Sequence, residues 1–173
     1  MTFIRSAVGP GLALVYLLTL VFALPSMAEV SAGDKAPDFT LGSVDGNGTV
    51  KLSDYTVEPT LLVFWVSWRP HCQRELPIIQ KIYADLGSKG MNTVGVSVDS
   101  EVEDARGFVK DYGLRFPNAF AGTADGRKVL DTYGIDGVPT ILVIAKGELV
   151  KARFGGETAE KTLRGELAKL GVR

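Results

Sequence analysis

Cysteine occurs once in 173 residues, at Cys72, and histidine once, at His71. A single thiol excludes an internal disulfide, so no dithiol can open and close within one chain. One cysteine, one histidine and three methionines also fall short of the several soft donors that a transition-metal site requires. The phosphate-cradling glycine loops of nucleotide and dinucleotide sites are missing as well. Neither a metal nor an organic cofactor is therefore expected. Charge is almost balanced, with 19 Lys and Arg against 20 Asp and Glu, and no basic cluster forms a footprint for nucleic acid. Internal repeats, long linkers and low-complexity tracts are absent too, and a single monomeric domain is the simplest expectation.

The N-terminus joins a short charged start, Met1 to Arg5, to an apolar run from Leu12 to Leu24 whose one clearly polar member is Thr19. Pro25 breaks the run, and Ser26-Met27-Ala28 supplies small residues where a signal peptidase reads. This predicts a signal peptide over residues 1–28, cleaved after Ala28, and a mature domain over 29–173. The alternative is an uncleaved membrane anchor, but a spanning helix needs roughly 20 apolar residues and this run is shorter. After cleavage no stable membrane span remains. Export points to a periplasmic, oxidising location, where a lone cysteine is either buried and inert or meant to meet a thiol on another molecule.

Two short extended pieces between Ala36 and Leu52 flank the turn Asp45-Gly46-Asn47-Gly48, which predicts a β-hairpin. Asn47-Gly48-Thr49 also matches a glycosylation acceptor, but it lies on residues the turn itself needs. The unbroken apolar run Leu61 to Val66 reads as a strand covered on both faces. Cys72, Leu76, Ile79, Tyr83 and Leu86 then recur at helical spacing, with Cys72 heading the buried stripe. A strand over Asn92 to Val98 follows, and Ser100 with Glu103 forms a capping-box pattern for a helix reaching about Tyr112. A further helix is expected near Arg127 to Tyr133. Strands at Thr140 to Ile144 and Leu149 to Phe154 are expected around the turn Lys146-Gly147. The last helix, from about Thr158, puts Ala159, Leu163, Leu167 and Leu170 on one face and ends at Gly171. This order predicts an α/β fold, with a central mixed sheet flanked by helices and an N-terminal hairpin extension.

Three separated motifs carry a resemblance. Trp68-Arg69-Pro70-His71-Cys72 sits between a strand and a helix and resembles a W-C-P-H-C active site whose first cysteine is Arg69. Glu75 and Pro77 extend it to C-x-x-E-x-P. Gly137-Val138-Pro139-Thr140, directly before an apolar strand, is similar to a cis-proline loop. With the opening Gly33-Asp34-Lys35-Ala36-Pro37-Asp38-Phe39, the mature chain resembles exported thioredoxin-like thiol-disulfide oxidoreductases of the TlpA/ResA type throughout its length. The resemblance implies a thioredoxin fold and a thiol- or disulfide-bearing exported protein as partner. It implies that Cys72 matches the resolving cysteine, and that Arg69 stands where the attacker would be. It further implies that His71 adjusts the charge of the turn, that Glu75 handles protons at the thiols, and that Trp68, Pro70, Val138, Pro139 and Thr140 border the substrate groove. From the residues alone, blander alternatives stand beside these: Cys72 as core, His71 as a solvent-facing loop residue, Glu75 as a solvated helix charge.

Three functional readings remain open on the sequence. The first is a redox protein that has lost its dithiol cycle or uses Cys72 alone for mixed disulfides. The second is a binding module that holds extended polypeptide beside Pro139, with Trp65 and Trp68 supplying apolar surface. The third is a one-cysteine peroxidase, in which Arg69 would stabilise the Cys72 thiolate.

Overall fold

A computed structural model describes residues 29–173, and the expected signal peptide over 1–28 lies outside the described residues. The chain runs β1 (Thr40–Gly42), β2 (Thr49–Lys51), β3 (Thr60–Trp65), α1 (Pro70–Leu86), β4 (Asn92–Ser97) and α2 (Val102–Asp111). It continues β5 (Asn118–Phe120), α3 (Ala124–Tyr133), β6 (Thr140–Ile144), β7 (Val150–Gly155) and α4 (Glu160–Lys169). Five strands form one mixed sheet in the order β5-β4-β3-β6-β7, while β1 and β2 make the separate antiparallel hairpin. Strands β3, β4 and β5 are parallel, whereas β6 and β7 run antiparallel to their neighbours. This is the thioredoxin fold expected from the sequence.

β3 is the centre of the sheet, and all six of its residues are buried. Its alternation sorts them between two cores, as a pleated strand must. Leu61, Val63 and Trp65 join Cys72, Leu76 and Ile79 of α1 and Leu163 and Leu167 of α4. Leu62 and Phe64 face the other way, towards Tyr133 of α3 and Leu41 and Val50 of the hairpin. The outer edges are covered by single bridges, Ser43 to Ala119 beside β5 and Lys35 to Leu149 beside β7. Each bridge pairs one residue at its sheet edge and so interrupts, at that point, the open edge through which sheets aggregate.

Several local expectations change. β5 was not anticipated, because three residues give too short a periodicity to register. α3 begins at Ala124 rather than near Arg127, since the Thr123 side chain accepts from the Gly126 amide and caps it there. The Ser100 box does not cap α2: the helix starts one residue later, with Glu101 at the cap and no side chain bonded to the first turn. Ala159 is the exposed cap residue of α4 and not part of its buried face. On α1, Glu75 and Ile82 are buried whereas Tyr83 is half-buried against Phe116.

Candidate active site

The turn between β3 and α1 carries the motif, and a buried carboxylate shapes it. Asp99, just past the end of β4, accepts from the Ser67 amide at 3.1 Å, the Ser67 hydroxyl at 2.7 Å and the Ser97 hydroxyl at 2.8 Å. Gln73 in the first turn of α1 reaches back to the Ser67 carbonyl at 3.0 Å. Pro70 opens the helix at its first position, where the missing N–H costs nothing and the fixed φ already suits a helix. Asp99 was not singled out from the sequence. Its one legible signal is an acidic residue directly behind an apolar strand.

Arg69 is the cap residue of α1, with extended backbone. Its Nη1 donates to the Val138 carbonyl at 2.7 Å. The guanidinium also lies 5.6 Å from the Trp68 ring centroid. Trp68 is 67% exposed and forms an apolar flag at the rim. Trp65, by contrast, is fully buried: it packs on Phe108 at 5.0 Å and donates from Nε1 to Asn118 at 3.1 Å. The expectation that Trp65 offers groove surface is therefore wrong, because its indole N–H has found a partner inside. Gly95 makes room for that bond, since a Cβ there would stand 2.0 Å from Asn118 Oδ1 and 2.9 Å from Trp65 Nε1.

Cys72 is fully buried at the head of the apolar stripe. Burial pushes its thiol pKa up, opposed in part by a backbone hydrogen bond at Val66 and by the Arg69 charge. The structure thus gives the thiol none of the low-pKa, accessible character of a reactive cysteine. Glu75, one turn on, is not a solvated helix charge. It is 1% exposed, its Oε2 accepts from the Thr158 amide at 3.0 Å, and its Oε1 has no partner among the described residues. Burial raises its pKa, and the neighbouring Glu157 charge adds to the effect. His71 stays exposed, with Nε2 3.9 Å from Glu157 Oε1. Glu157 is held mainly by Arg74, whose hydrogen bond draws its pKa down. Pro77 sits in an unbroken α1.

The second wall is the loop before β6. Val138-Pro139 is a cis peptide. The Pro139 carbonyl accepts from the Gly156 amide at 2.8 Å, and Thr140 Oγ1 donates to the Gly137 carbonyl at 2.7 Å. Thr140 is thus mainly a brace for the loop. The Val138 amide has no acceptor among the described residues. Arg69 and Val138 together line a cavity of 550 Å³, shared with His71, Pro139 and Arg153, and a second of 280 Å³, shared with Trp68, Val98 and Ile135. Pro70 is exposed beside them. Arg153, which sequence reasoning missed, donates to the carbonyls of Val30, Tyr133 and Gly134 and pairs with Glu29. No three His, Cys, Asp or Glu side chains gather into a metal-binding group among the described residues.

A family model described as the AhpC/TSA family matches residues 32–153. The thiol-disulfide oxidoreductase ResA of Halalkalibacterium halodurans is 34% identical over 140 residues, covering 80% of this chain and 76% of that protein. The thiol-disulfide oxidoreductase ResA of Bacillus subtilis is 30% identical over 160 residues, with 89% and 87% covered. Among solved structures, the thioredoxin domain of a thiol-disulfide oxidoreductase from Bacteroides vulgatus superposes with a TM-score of 0.73 at 26% identity, covering 82% of this chain and 98% of that one.

Proposed function

The chain belongs to the AhpC/TSA family, as a thioredoxin-like protein of the ResA type, and from that premise we propose that it is an exported member whose dithiol cycle has lapsed and which binds extended polypeptide. The observation that carries this reading is at one turn. Arg69 holds the attacker's place on the Val138 loop, while the one thiol, Cys72, is sealed in the core. Repeated thiol-disulfide exchange needs an accessible attacking thiolate and a second thiol to release the trapped partner. Neither is provided by the described residues. What the site retains is a loop with an open amide, an exposed tryptophan and two adjoining cavities, which are features of a surface that holds a chain by its backbone.

Thiol-bearing exported proteins are the partners the family relationship favours, reached after cleavage at Ala28, and a monomer suffices to present the groove. A peroxidase built on Cys72 fits less well, because burial both hides the sulfur and disfavours its thiolate. The proton-handling role of Glu75 and the charge-setting role of His71 have no attacking thiol to serve in this site. The reading is tested by binding a reduced, unfolded polypeptide to the wild type, to Cys72→Ser and to Trp68→Ala. Affinity is expected to survive Cys72→Ser and to fall by about tenfold in Trp68→Ala, the range typical of an aromatic anchor. Binding that disappears in Cys72→Ser would instead establish covalent capture.

A further inference from the structure

An extended chain that pairs with a backbone edge takes one donor and one acceptor from each residue with which it forms a hydrogen-bonded pair. Val138 offers its N–H, but its carbonyl is already engaged by Arg69 Nη1. Among the described residues the Arg69 side chain forms no ion pair, and its Nε and Nη2 have no acceptor. Beside Val138 the edge therefore presents donors from both sides: a backbone N–H and the remaining guanidinium N–H groups. A group with acceptors only is the complement of such an edge. Resting on the polypeptide-binding reading above, we propose that this site captures the C-terminal carboxylate of an extended polypeptide, one oxygen accepting from the Val138 amide and the other from Arg69.

The chain terminus fits better than an internal residue. A terminal carboxylate brings two acceptor oxygens to these donors, whereas an internal residue brings one carbonyl and leaves the free Arg69 N–H groups without a partner. The terminal residue's own N–H shares the Val138 carbonyl with Arg69 through the second lone pair. The guanidinium is planar, always charged and weakly hydrated, the side chain best matched to a carboxylate. Its bond to Val138 and the Trp68 ring hold it in place before any ligand arrives. Other charges frame the site. Glu29 is occupied by Arg153, and Glu157 by Arg74. Asp136 is exposed, lines both cavities together with Arg69, and has no ion-pair partner among the described residues. It opposes an incoming anion and restricts where the carboxylate can sit.

The test is a titration of isotope-labelled protein with one short alternating Val/Thr peptide in three forms, followed at the Val138 amide by NMR. The forms are the free acid, the C-terminal amide, and the amide carrying an internal aspartate. The free acid should bind at least about tenfold more tightly than the amide, as expected for charge-assisted hydrogen bonds. Arg69→Gln, checked for native fold by its amide spectrum, should bring acid and amide to equal affinity, and Asp136→Asn should tighten the acid alone. Equal affinity of acid and amide for the wild type overturns the carboxylate site while leaving polypeptide binding intact. An aspartate-bearing amide that matches the free acid overturns the choice of the chain terminus. If no form binds, both this proposal and the reading beneath it fail.

Discussion

On the proposed reading, replacing Arg69 with cysteine supplies the first thiol of the W-C-P-H-C pattern that the turn resembles, and the expected effects follow from the contacts of Arg69. The variant loses the half-buried hydrogen bond to the Val138 carbonyl and the contact with Trp68. A charge-assisted bond at a partly exposed position is worth about 1–2 kcal/mol, and an exposed cation–π contact about 0.5 kcal/mol more. Urea denaturation should therefore show a native state weaker by about 1.5–2.5 kcal/mol. In place of the guanidinium, a thiol stands at the cap of α1, where unpaired amides and the helix dipole favour its thiolate. Thiol labelling of the wild type should be slow until denaturant exposes Cys72, and the variant should show one fast and one slow thiol. With a dithiol donor and a disulfide substrate, the wild type should run at the uncatalysed rate and the variant should turn over. Adding Cys72→Ser to the variant should trap substrate as a mixed disulfide, because the resolving thiol is gone. Wild-type turnover equal to that of Arg69→Cys would refute the assignment of Arg69 to the attacker's position, and rapid labelling of native wild type would refute the burial of Cys72.

Two further outcomes test the scaffold. Burial raises the Glu75 pKa, so the folded state keeps this proton to a higher pH than the unfolded state does. Stability is then lost as pH rises through and above the unfolded carboxylate range. Glu75→Gln should accordingly match the wild type near about pH 3.5 and exceed it near about pH 8; a gap of the same size at both, read by thermal melts, would contradict this. Gly95→Ala should cost about 1–3 kcal/mol in urea denaturation and shift tryptophan emission, because its Cβ would displace Asn118 from the buried Trp65 N–H. An unchanged midpoint would show that Asn118 can move aside freely.

What could be read from the sequence was whatever sits close together along the chain. The apolar run of β3, the stripe headed by Cys72, the glycine turn of the hairpin and the Val138-Pro139 loop each depend on neighbours a few residues away. The misreadings share the opposite property. Trp65 lies inside because Asn118, 53 positions on, accepts its N–H. Glu75 is buried because the Thr158 loop arrives over it from 83 positions away. Period and propensity cannot register such pairings, and an acidic residue on a helix reads the same whether a loop covers it or not. The Arg69 contact with Val138 spans 69 positions and is equally hidden from any local pattern. The family is legible because its motifs are local, each readable within a few residues of the chain.

The turn that carries Arg69 is held by Asp99, Ser67 and Gln73, through oxygen and nitrogen alone. A protein whose turn closes on a disulfide presents one surface when oxidised and another when reduced, so its grip on a partner follows the electron supply of its surroundings. Here the chain has one thiol, and it is buried, so no internal disulfide at the turn can be made or broken by a change of potential. If the groove binds polypeptide as proposed, its occupancy should follow the concentration of what it binds and not the opening and closing of an internal disulfide.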